Sequence, residues 1–267
     1  MGTSNAFKGS GGKDASDLRD AIADWLGDDV SPAQDGEADS SEQHGAHAAG
    51  DSAPSLNLIP LLRLWRDSSS GVGGGAGSGG SGGSTGGRSS GGVRRTVTRV
   101  SGPAGRAGSL ARAYAAGDRA ALESAGLDYD ALRALDDPIE VGRRIASVAF
   151  EAQADSSLED SEARLIVAEL IAWVLAAPND QVPTPNDIVR HSIELMMLKS
   201  ALVEVGDTIR SEPNATKRRA AEAEVGRAAH VLASQVPLNE TGTSAAEISE
   251  AIEGGVRQLT AIFGAGE

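Results

Sequence analysis

The 267-residue chain predicts an all-α protein: a C-terminal helical bundle preceded by a long, largely disordered N-terminal tail and a Gly/Ser linker. Three observations carry this expectation. Helix-start signals recur in the second half, where a capping side chain precedes an acid three positions on. Apolar residues there repeat at helical spacing, and no segment alternates with period two beside hairpin turns. Much of the glycine, 34 residues in all, falls in one block, which leaves roughly 160 foldable residues, enough for one ordinary core.

Residues 1–55 are acidic and polar, with Asp28, Asp29, Asp35, Glu37, Asp39 and Glu42 and little apolar surface to bury, so disorder is expected. Within them, 17–26 places Leu18, Ile22 and Trp25 on one helical face, with Gly27 as a stop. A helix this short is marginal alone, and should fold on a partner or against its own domain. A second island, the apolar docking segment 56–66, gathers Leu56, Leu58, Ile59, Leu61, Leu62 and Leu64 around Pro60. So many leucines should dock somewhere. Leu18, Ile22, Trp25, Leu61, Leu64 and Trp65 are therefore expected as partner-binding anchors.

Residues 67–103 read as a linker, Gly/Ser-rich and then Arg-rich. The acid-free run from Ser68 to Gly117 carries Arg88, Arg94, Arg95, Arg99, Arg106 and Arg112. One reading is a polyanion site, a nucleic-acid adaptor using 88–112 with Arg88, Arg94, Arg95 and Arg99 at its centre. The other is a solvated hinge that neutralises the acidic tail. Single-strand grooves interleave aromatics, and only Tyr114 is near, so the hinge reading is preferred.

The helical domain is expected over 104–265, beginning with short helices at 106–116, 118–125 and 128–136. Asp137-Pro138-Ile139-Glu140 combines an N-cap, a first-turn proline and a capping-box acid, and opens a helix through Val141, Ile145, Val148 and Phe150. The run Leu165 to Leu175 is apolar nearly all round, as a central buried helix should be, and Pro178 ends it. Thr184-Pro185-Asn186-Asp187 repeats the device before a helix over 184–206. An alanine-rich helix follows at 214–235. Ser244-Ala245-Ala246-Glu247 starts the last helix, with Ile248, Ile252, Val256, Leu259 and Ile262 on its face.

The net charge of −14 disfavours broad nucleic-acid binding. The chain has no cysteine, which excludes disulfides and Cys-based zinc sites and fits a reducing cytoplasm. It shows neither a signal-peptide pattern nor an apolar run of the ~20 residues a membrane span needs, so a soluble, cytoplasmic protein without a membrane role is expected. Gly9-Ser10-Gly11-Gly12-Lys13 fails as a phosphate loop, because Phe7 stands at the first required glycine and Asp14 at the hydroxyl position. Ala6 breaks the myristoylation pattern. His44 and His47 sit in the polar tail, where metal binding would have to drive all the ordering. Asp187, His191 and Glu194 share a helix face and read as its polar edge. No nucleophile, base and oxyanion set emerges, so no enzyme, metal or cofactor is expected.

The start Met1-Gly2-Thr3-Ser4 with its Gly-rich follow-on, the segment Trp25-Leu26-Gly27-Asp28-Asp29, the Arg-rich stretch after a Gly/Ser spacer, and the late helix Val189-Arg190-His191-Ser192-Ile193-Glu194-Leu195-Met196 together resemble the QatB family, the B components of Qat anti-phage defence systems. The pattern departs from the family where Asp14-Ala15-Ser16-Asp17-Leu18 replaces a proline-rich stretch before the tryptophan. The resemblance implies a non-catalytic protein acting beside an ATPase (QatA), a QueC-like enzyme (QatC) and a TatD-like nuclease (QatD). It further implies that Gly2, exposed by removal of Met1, is the acceptor of a 7-deazaguanine-type modification, with Thr3 and Ser4 contacting the modifying partner. The residues agree, since glycine minimises bulk beside a reacting amine.

Overall fold

A computed structural model describes residues 12–27, 56–67, 91–150, 158–178 and 180–265. Among them are ten helices and no strand, as the periodicity predicts. They are α1 (Lys13–Gly27), α2 (Ile59–Asp67), α3 (Gly91–Ala116), α4 (Arg119–Ser124), α5 (Tyr129–Arg133), α6 (Pro138–Phe150), α7 (Leu158–Ala176), α8 (Pro185–Ser211), α9 (Ala215–Ser234) and α10 (Ala245–Phe263). The expected disorder of the remaining tail and of 68–90 lies outside the described residues.

Local side chains start the later helices. Thr184 Oγ1 accepts the Asp187 N–H at 3.2 Å while the Asp187 carboxylate accepts the Thr184 N–H at 3.0 Å, a reciprocal box that satisfies two otherwise orphaned donors. Ser244 and Glu247 repeat it at 3.3 and 3.1 Å. Asp118, Asp128 and Asn214 cap α4, α5 and α9. At α6 the Asp137 carboxylate accepts the Ile139 N–H at 2.9 Å. Its expected partner Glu140 instead binds Arg143 and Arg144, one turn on.

From Gly91 onward the Arg-rich stretch, expected as linker up to 103, is helical. Helix α3 begins at Gly91, well before the expected boundary at 104, and runs through Pro103 into the centre of the molecule. It packs against α10, α7, α6 and α8. Its small residues are the reason: a Cβ on Gly105 would stand 2.5 Å from the Ala245 carbonyl oxygen, and one on Gly108 would stand 2.5 Å from Ile188 Cγ2. Glycine lets the α10 backbone and the α8 side chain come within contact of the α3 axis. Arg106, in the same run, donates from Nε to the Ala149 carbonyl at 2.7 Å and so satisfies a C-terminal carbonyl of α6. The helix α7, expected at the centre, is buried on one side only: Ile166, Leu170 and Val174 are enclosed, whereas Leu165 is half exposed and Ala168 and Ala172 face outward.

The two islands of the tail join this core. Leu18, Ile22, Leu61 and Leu62 are fully enclosed, and Leu64 and Trp65 nearly so. Helix α1 lies on α8, α2 and α9, while α2 lies on α10 and α1. Polar locks hold both. Lys217 Nζ donates to the Leu26 carbonyl at the C-terminus of α1 at 3.3 Å. The buried Glu224 accepts the Leu56 N–H at 3.2 Å and pairs with Arg227.

Candidate functional site

The residues expected to act fall into three groups. Gly2, Thr3, Ser4 and Arg88 lie outside the described residues, as do the side chains of Arg94 and Arg95 on the first turn of α3. Arg99 is half-buried and already partnered. The anchors Leu18, Ile22, Leu61, Leu64 and Trp65 are committed to the chain's own core, a correction to their assignment to a partner. The physical reason is that the leucine-rich faces of α1 and α2 find matching apolar surface on α8 and α10 of the same molecule. Trp25 packs on the rim of that core and is half-buried.

Of the polar set Asp187, His191 and Glu194, the structure brings two together and adds a residue that sequence spacing missed. Asp187 is spent on the α8 cap. His191 Nδ1 lies 3.3 Å from Glu194 Oε2, and His230 Nδ1, from α9, lies 3.0 Å from the same oxygen. Trp173 of α7 stacks on His191 with ring centroids 4.3 Å apart. Burial pushes the Glu194 carboxyl up, but hydrogen bonds and positive charge from His191 and His230 outweigh it and hold the group below the ordinary carboxylate range. The only signal for His230 was a lone imidazole in an alanine-rich helix. The described residues contain no group of three or more His, Cys, Asp or Glu arranged to hold a metal. This cluster can interlock α7, α8 and α9.

A groove of about 780 Å³ lies between α6 and α7. Gly142, Ala146, Ala168 and Ala172 line it with Phe150 and Leu175, and Ile139 projects beside it at 82 % exposure. The charged residues of its described lining are Arg143 and Arg164. Arg143 donates twice to Glu140 at 2.8 and 2.7 Å, and Arg144 shares that carboxylate at 3.1 Å. Arg164 sits 4.8 Å from the Phe150 ring centroid and makes no ion pair among the described residues. No described helix is long and apolar enough to cross a membrane. No family model, curated protein or solved structure matches this chain.

Proposed function

We propose that the chain is a non-catalytic component of a Qat-type anti-phage defence system, which binds a QueC-like enzyme (QatC) and presents Gly2 as a protein substrate for 7-deazaguanine-type modification. An ATPase (QatA) and a TatD-like nuclease (QatD) complete the set of partners, and the site of action is the cytoplasm. The observation that carries the reading is the start Met1-Gly2-Thr3-Ser4 set ahead of a helix that docks on the folded domain. Removal of Met1 leaves a glycine amine, which titrates near pH ~7.7–8.0 and is therefore partly uncharged and nucleophilic at neutral pH. The small hydroxyl residues Thr3 and Ser4 suit an extended chain entering a narrow active site, where their hydroxyls can bond partner backbone.

The docking of α1 limits how Gly2 could be presented. Ten residues separate Gly2 from Lys13, so the amine reaches at most about 35 Å from the start of α1. A modifying enzyme must therefore approach the folded domain itself. The test is the intact mass of the protein co-expressed with a QueC-like enzyme, compared with Gly2→Glu, which blocks Met removal and fills the position beside the amine. An adduct on the N-terminal peptide of the parent, absent from Gly2→Glu, is expected. A Met-less chain without adduct in the presence of active enzyme would refute the substrate role, and salt-dependent DNA binding by the same chain would favour the adaptor reading of 88–112.

A further inference from the structure

We draw no further inference here: the strongest candidate, the cluster of His191, Glu194 and His230 that joins α8 to α9 beside Trp173 of α7, belongs to the interhelical lock already described, and the described residues form no metal-holding group there.

Discussion

Glu194 receives two imidazoles on a single oxygen, and this ties the α8–α9 contact to acid. Its carboxyl titrates below the ordinary value of 4.5 in the folded chain. A depressed carboxylate contributes stability that is present above the unfolded value and is lost as pH falls through the folded one. Glu194→Gln should therefore cost about 1–3 kcal/mol near pH 6, with the gap to the parent closing below pH 4.5. Urea unfolding on both sides of that value measures it, and a gap that stays constant with pH would show that the histidine bonds do not stabilise the fold. Two glycines offer an opposite pair. At Gly105 a methyl meets the α10 backbone at 2.5 and 2.9 Å, which no rotamer change can relieve. At Gly254, in the middle of α10, the nearest atom is the tip of Arg257 at 3.9 Å. Gly105→Ala should destabilise by about 1–3 kcal/mol, and Gly254→Ala should stabilise by about 0.4–1 kcal/mol, in the same thermal melt.

At the scale of elements, the helix starts that were legible in the chain are those fixed by neighbours in sequence. Ser244 and Glu247 close a box across three residues, so the start of α10 is written locally, and Ser244→Ala should cost about 1 kcal/mol by chemical denaturation. A loss of less than a few tenths would mean that tertiary packing alone holds the turn. The start of α3 was not legible, because Gly91 and Gly92 continue the glycine block and glycine disfavours a helix, while partners of this helix lie far away in the chain. Ser101 shows this: its hydroxyl donates to Glu253 Oε1 at 2.8 Å, a partner 152 residues distant. The same limit hid the groove and the histidine cluster. Ala168 and Ala172 sit within a run so apolar that burial all round was expected, yet both are exposed and line the groove between α6 and α7. His230 meets Glu194 across the α8–α9 packing, a pairing that no spacing within one helix encodes. Capping is local chemistry; sites between helices depend on which helices meet.

Over the whole molecule, α1 and α2 make the tail part of the fold. The leucine faces of both helices are enclosed by α8, α9 and α10, so the unit that unfolds includes them. Leu18→Ala and Ile22→Ala should each lower stability by about 2–5 kcal/mol, the range for emptying a fully buried aliphatic site. A chain cut before residue 68 should melt at lower temperature and bind a hydrophobic dye, because the seats of α1 and α2 are then open to water. Residues 68–90 join α2 to α3, and both helices pack on the rest of the described fold. Doubling its length should therefore cost only about 0.6 kcal/mol of loop-closure entropy. This separates two pictures of how Gly2 reaches an enzyme. If the amine were carried on one long tether, lengthening 68–90 would change its reach and hence the yield of N-terminal adduct. With α1 docked, the reach is set by residues 2–12 alone. Inserting Gly/Ser residues between 68 and 90 should leave the adduct yield unchanged, whereas deleting four residues between Asn5 and Gly12 should reduce it by bringing the reacting amine too close to the domain. Intact mass spectrometry of the three proteins under identical co-expression reads both effects, and a yield that follows the 68–90 length instead would show that α1 leaves its seat when Gly2 is presented.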